Sequence, residues 1–459
     1  MASRLIVERV PLRTLQKHHH AFLNNFGDQE TLIDAIGSRP GFFGPNPVAF
    51  LSIKARRPSV TLGDLEEALL NDRTLIRASA FRGSLFLLNT NDFPIFFRTF
   101  HHLLFQRGLQ RLLDNQISKA HLFHFADLLA EADPLLPLAI PNLLEIIFPG
   151  RRKRPDHEIC QRIVQKLCDM GVLVRASAKG WKGNEFTYAL LKKWAPDISL
   201  KPDNPETART ETVRKYLRAY GPASIEDIAW WTGLPVVQCQ RSVAHLRREA
   251  VRFHVETYRD DMIGLKETVE LLRRKLPVEE EIQLLPPWDP YALGWRCRKR
   301  VADKEVLPFI YDPQGNATSV ILDNGKVVGL WQFRDSENNL LEYHIFERYN
   351  ERKNVILQKI EDWARMLSKL TGAVSAKLIE RQLPQALKDR PLGSFLWPLG
   401  KANPITNRLL EEERSPMERR TSNTFRKRYL DNEYLIRPNE VMLENKQVSV
   451  KPALVDTGS

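Results

Sequence analysis

GPASIEDIAWWTGLPVVQCQRSVAHLRREAVRFH, residues 221–254, decides the reading of this chain. Gly221-Pro222 punctuates the approach. Ser224 followed by Asp227 is an S-x-x-D box, a helix start in which the Ser oxygen caps free backbone N–H groups. The first helix should turn Ile225, Ile228 and Ala229 inward. Gly233 should end it, because glycine takes the left-handed conformation cheaply. Pro235 suits the first turn of a second helix running to about Glu249, with Val236, Val243 and Leu246 inward. Arg241, Arg247 and Arg248 then face outward. A short helix, a glycine turn and an arginine-bearing helix suit docking in a DNA major groove; the same unit also serves as a plain packing module.

Two further segments repeat the order helix, helix, hairpin. In 141–194, a short helix carrying Leu143, Leu144, Ile146 and Ile147 stops at Pro149-Gly150. Asp156 to Met170 follows with Ile159, Ile163, Leu167 and Met170 at helical spacing, and Gly171 as its stop. A strand from Val172 and a return over Phe186–Leu190 flank the tip Lys179-Gly180-Trp181-Lys182-Gly183. In 28–88, a helix over 46–56 and a Thr61/Asp64 start precede strands over Thr74–Ala80 and Ser84–Leu88, joined through Phe81-Arg82-Gly83. No fixed-period repeat is visible, so the likeness between copies is one of pattern.

Beyond 255 the texture changes. Residues 260–280 read as a charged, partly helical linker. Strands are expected at Ile282–Leu285, Phe309–Tyr311, Ser319–Leu322, Val327–Phe333 and Leu341–Phe346, with a helix over Val355–Leu367. Asn324-Gly325 between apolar runs signals a two-residue hairpin. The expected fold class is α+β, with units at 1–110, 111–200, 201–258, a β-rich unit at 259–400 and a basic, loosely ordered tail at 401–459.

The net charge of +12 favours phosphate backbones or acidic surfaces as partners. Four cysteines without a C-x-x-C pair argue against a structural zinc and against a disulfide framework. His18-His19-His20 point in different directions on a helix and cannot converge on one ion; His101 and His102 have no carboxylate or Cys nearby in sequence. No metal and no cofactor is expected. No apolar run is long enough for a bilayer, and the N-terminus has no secretory core, although its basic character leaves an organelle address open. The expected setting is cytoplasm or nucleoid, or the nucleus of a eukaryote, and the expected state is a monomer on double-stranded DNA, damaged DNA included.

Candidate contacts follow from charge and position. Arg82 sits at a hairpin tip, as a phosphate contact or a solvated turn charge. Lys179, Trp181 and Lys182 make an aromatic and basic wing; the alternative folds the Trp onto the core. Arg151, Arg152, Lys153 and Arg154 precede a helix, as phosphate contacts or an exposed linker. Arg296, Arg298, Lys299 and Arg300 follow Asp289-Pro290; alternate residues of a strand or loop face one way, which places them along a DNA channel or in a solvated cluster. Trp230-Trp231 reads as core packing.

Three stretches carry a resemblance to the AlkZ/YcaQ-type winged-helix DNA glycosylase family. They are LEEALLNDRTLIRASAFRGSLFLL at 65–88, GPASIEDIAWWTGL at 221–234, and LLPPWDPYALGWRCRKR at 284–300 with VILDNGKVVGLW at 320–331. The resemblance implies tandem winged-helix domains forming a C-shaped basic surface, followed by a small β-barrel-like domain. It also implies metal-free hydrolysis of the N-glycosidic bond of N7- or N3-alkylated or crosslinked purines. The family uses a Q-x-Q or Q-x-D motif just before the helix that corresponds to 46–56. Here Phe42, Phe43, Gly44 and Pro45 occupy that place. Their side chains cannot orient a water or stabilise oxocarbenium-like charge. Asn46, read as a turn or helix-cap residue, and Asp289, read as a turn or ion-pair residue, are the remaining polar candidates for catalysis. The resemblance thus supports DNA binding better than catalysis, with an active divergent glycosylase as the alternative.

Overall fold

The computed structural model describes residues 5–7, 15–17, 19, 36, 39–135, 137–150, 155–178, 185–200, 204–255, 261–273, 281–311, 315–334 and 339–381. Strands β1 (Leu5–Val7) and β2 (Phe42–Phe43) precede helix α1 (Val48–Lys54). A second helical stretch begins at Leu62, where Thr61 and Asp64 form the expected reciprocal capping box. Hairpin β3 (Leu75–Ser79) and β4 (Leu85–Asn89) follows, then helix α2 (Phe93–Gln106). The second segment has a helix at Ile140–Ile147, helix α3 (His157–Asp169) and hairpin β5 (Leu173–Ala178) and β6 (Phe186–Leu190). Asp156 caps α3 by accepting from the Ile159 amide, and Gly171 follows it at φ +75°.

The third segment contains α4 (Pro205–Tyr220), α5 (Ile225–Thr232), α6 (Val236–His245) and the hairpin β7 (Ala250–Val255) and β8 (Met262–Leu265). Ser224 and Asp227 form a capping box, and Gly233 ends α5 at φ +75°. The remainder is β9 (Ile282–Leu285), β10 (Val320–Asp323), β11 (Lys326–Arg334), β12 (Leu340–Ile345), helix α7 (Lys353–Thr371) and β13 (Lys377–Glu380). Asn324 and Gly325 both take positive φ, 52° and 74°, which makes the β10–β11 turn the primed type that matches strand twist.

The strands form three sheets. β2-β4-β3-β5-β6 is one continuous five-stranded sheet, so the hairpins of the first two segments pair with each other, at Arg77 opposite Arg175. β1 adds in parallel to β7 of the third hairpin. The order β13-β12-β11-β10-β9 is open, with β9 and β13 at its edges, and corrects the expected barrel-like closure. One apolar core joins Phe81, Phe96, Tyr220, Trp231, Trp295 and Leu330, drawn from distant parts of the chain. A second joins α1, β9–β12 and α7, and a third lies around α3.

Several local expectations need correction. Residues 307–310 form a short helix, not a strand, with Pro308 in its first turn. Residues 262–265, placed in a linker, are a strand because they pair with β7. Val236 is 37% exposed; α6 turns Cys239 and Ser242 inward instead, and Leu246 is buried just beyond it. Pro235 is the N-cap of α6, which ends at His245 rather than near Glu249. The expected tail from 401 lies outside the described residues.

Gly233 is held by two constraints at once: its positive φ, and Arg82 atoms that a Cβ would meet at 3.2–3.3 Å. Gly233→Ala should therefore lower stability by about 1–2 kcal/mol or slightly more, read as a reduced denaturant midpoint with unchanged slope. An unaltered midpoint would show that the turn relaxes freely.

Candidate nucleic-acid interface

Arg241 on α6, and Arg247 and Arg248 just beyond it, are exposed on the described surface, as their spacing predicts. α6 is itself positioned by α5 through the Gly233 turn, so these cations sit on a rigid element pair. Glu249 does not neutralise them: it pairs with Arg214 on α4, at 2.9 Å.

The tip of the β3–β4 hairpin is pinned by Phe81, whose ring lies 5.0 Å from Phe86, 4.9 Å from Phe96 and 5.6 Å from Trp231. Arg82 therefore projects from a fixed point, with φ +55° and its carbonyl accepting from Arg107 Nη1 at 2.8 Å. Its guanidinium lies 4.3 Å from the Trp230 ring, and that of Arg298 lies 4.9 Å from the same ring. Trp231 is core, as expected, but Trp230 is half-buried between arginines, its indole N–H donating to the Leu293 carbonyl at 3.3 Å.

Arg298 and Arg300 are buried, which corrects their placement along an open channel. Arg298 donates to the Ala292 and Gly315 carbonyls and lies 4.3 Å from the Tyr311 ring. Burial lowers its pKa from the usual arginine value. Arg300 donates to the Pro222 carbonyl at 2.5 Å and lies 5.0 Å from the Trp295 ring. The 3-10 turn at Arg298–Arg300 exposes Lys299 and turns its two neighbours inward. Arg151 to Arg154, and Lys179, Trp181 and Lys182, lie outside the described residues.

The turn at the family motif position is built by close approach. Gly44 donates to the Leu85 carbonyl at 2.8 Å, and a Cβ there would meet Leu85 and Phe86 at 3.0 Å. Phe42 is buried, and Phe43 stacks on Trp288 with centroids 5.3 Å apart. Asn46 does not cap α1: Pro47 takes the N-cap position, and no side chain caps it. The Asn46 Oδ1 accepts instead from Arg77 Nη2 at 3.1 Å. Arg77 also donates Nε–H to the Gly44 carbonyl at 3.2 Å, and burial lowers its pKa to about 10.

Asp289 is fully buried and has both oxygens occupied. Arg56 donates to Oδ1 and Oδ2 at 2.8 Å each, and the Tyr291 amide donates to Oδ1 at 2.9 Å. Asp289 thus stands as an ion-pair and turn residue, the role its sequence context predicts, with its charge committed to Arg56. Arg39 is buried nearby, its pKa lowered to about 9 by burial and by the Arg56 charge. The sequence reading passed over Arg39, Arg56 and Arg77; no local spacing marks an arginine whose partner lies on another element. Burial also holds His102 low, at about 4, so it stays neutral near pH 7. Among the described residues, no group of His, Cys, Asp and Glu could hold a metal, and no helix is long and apolar enough to cross a membrane.

These features define a mixed α+β protein in which helix pairs and hairpins present exposed arginines over shared cores. A family model described as DNA glycosylase AlkZ-like matches residues 43–382. The chain belongs to the AlkZ-like DNA glycosylase family. An interstrand DNA cross-link repair glycosylase of Streptomyces sahachiroi is 30% identical over 163 residues, 34% of this chain and 42% of that protein. The match thus spans less than half of that relative. The solved Streptomyces sahachiroi DNA glycosylase AlkZ has the same fold, with a TM-score of 0.64 at 19% identity, over 83% of this chain and 100% of that one.

Removing one partner of the Arg56–Asp289 pair leaves a buried charge uncompensated. Asp289→Asn or Arg56→Met should cost about 3–5 kcal/mol in denaturant unfolding, and the double variant less than the sum. Additive losses would mean that the two side chains act independently.

Proposed function

We propose that this chain binds duplex DNA, including damaged DNA, as a monomer through tandem winged-helix units that form a C-shaped basic surface. The observation that carries this reading is the α5–Gly233–α6 unit with Arg241, Arg247 and Arg248 exposed, in a member of a DNA glycosylase family. Arg82 and Lys299, both exposed, and the basic runs 151–154 and 179–182 are the further proposed contacts. In this reading the arginines beside α6 contact phosphates and fix register, and helical residues face the groove.

Hydrolysis at the turn 42–46 is not supported by its chemistry. The side chains at 42–45 carry no hydrogen-bonding group, and the Asn46 oxygen is already held by Arg77. Family membership favours a second reading, excision of N7- or N3-alkylated purines by polar groups elsewhere. A cationic base is a good leaving group and needs little assistance.

Both readings meet one experiment. Purified protein is incubated with duplex DNA carrying one N7-alkylated guanine, base release and abasic sites are measured, and binding is titrated at two salt concentrations. Salt-sensitive binding without release above the spontaneous rate supports the first reading, release supports the second, and salt-insensitive or absent binding without release sinks both. The variant Arg241→Glu/Arg247→Glu/Arg248→Glu should weaken binding and flatten the salt slope by about two to three. An unchanged slope would remove these residues from the interface.

A further inference from the structure

The outward face of α6 is unusual for a helix that meets only water. Cys239, Ser242 and, just beyond the helix, Leu246 turn into the protein, with Cys239 and Leu246 in the first apolar core. At about 100° per residue, the opposite side is centred on Val237 and Ala244, with Gln240 and Arg241 flanking them. All four are exposed. Val236 and Val237 are 37% and 49% exposed, two adjacent aliphatic side chains where a solvated helix face carries charged or polar ones.

The charge around this face is positive at both ends. The exposed Arg82 of the β3–β4 tip packs against Gly233, just before α6. Arg247 and Arg248 are exposed just after it. α6 itself carries no acidic residue. Glu249 is engaged by Arg214, and Glu206 lies 3.9 Å from His245 at the far end of the helix. The half-buried Arg209 of α4 is close enough for the Arg241 charge to act on it. A face that is aliphatic and amide in the middle and cationic at its ends complements a B-form major groove, where base edges lie between two rows of phosphates. That groove is about 12 Å wide and admits a helix.

The base-edge chemistry follows from the side chains. Valine has no hydrogen-bonding side-chain group, so the groove feature it matches is the C5-methyl of thymine. The Gln240 amide both donates and accepts, and it matches adenine N7 and N6. Val237 and Gln240 are three residues apart on the helix and so are neighbours on one face. We propose that Val236, Val237 and Gln240 read A·T pairs in the major groove of duplex DNA, through the thymine methyl and the adenine N6/N7 edge. This rests on the DNA-binding function proposed above and adds to it a groove and a base preference.

The test titrates the full chain, at two salt concentrations, with an A·T-rich duplex and with the same duplex in which every thymine is replaced by uracil. That replacement removes the C5-methyl and keeps the pairing. The wild type should bind the uracil duplex about three- to tenfold more weakly with the same salt slope, because the lost contact releases no counterion. Val236→Ser/Val237→Ser, at exposed positions, should remain folded, lose that discrimination and bind both duplexes as the wild type binds the uracil one. Gln240→Ala should keep the thymine dependence and become indifferent to replacement of adenine by 7-deazaadenine, which weakens the wild type. Equal wild-type affinity for the thymine and uracil duplexes overturns the inference, and salt-sensitive binding to both then leaves the DNA-binding reading standing. Discrimination that survives Val236→Ser/Val237→Ser overturns the assignment to these residues. Absence of binding to either duplex overturns the DNA-binding reading and the inference with it.

Discussion

The buried pair of Arg56 and Asp289 is the constraint on which the rest of this molecule depends. It joins the turn just after α1 to the loop after β9 across 233 positions of sequence, with both side chains fully buried. Arg56 also donates to the Ser52 carbonyl and lies 5.1 Å from the Phe42 ring, so one guanidinium fixes the helix, the motif-position turn and the open sheet. Asp289 in turn caps the short helix Pro290–Leu293 through the Tyr291 amide. A bidentate fork, with a further bond to a backbone carbonyl, is the arrangement in which a buried ion pair recovers much of its desolvation cost.

Arginine on aromatic rings is the second organising device. Arg82 and Arg298 lie against Trp230, Arg298 also against Tyr311, Arg300 against Trp295, and Arg73 against Trp194. A planar, weakly hydrated guanidinium tolerates such burial, and each contact contributes about 0.5–2 kcal/mol. Part of the positive charge is thus internal: among the described residues, Arg56, Arg77, Arg175, Arg298 and Arg300 are all buried.

Local physics was legible in the sequence. Thr61/Asp64, Ser224/Asp227, Asp156, Gly171, Gly233 and Asn324-Gly325 all signal their structure within four residues, and each does what its chemistry dictates. The misreadings share a cause: the deciding partner is distant. Residues 298–300 look like a charged run until Pro222, Ala292 and Gly315 supply carbonyls and Trp295 a ring. Val236 follows helical spacing but is exposed because α6 buries Cys239 and Ser242 instead. The apolar run at 307–310 fits a strand or a helix equally, and only its packing settles which. Joining of the first two hairpins into one sheet left no local trace, since a single cross-strand pair makes it.

The same reasoning bears on the motif position. Catalysis of glycosidic cleavage needs groups that orient water and stabilise positive charge on the sugar. Here the turn's side chains are aromatic or absent, Gly44 is packed so closely on β4 that any Cβ would meet it at 3.0 Å, and the cation Arg77 lies beneath. A buried cation opposes an oxocarbenium-like transition state and favours an anion, and the stacked pair of Phe43 and Trp288 presents apolar rings beside it. The turn's own side chains therefore supply no group that orients a water, and cleavage by this chain would have to draw its polar groups from another part of the surface.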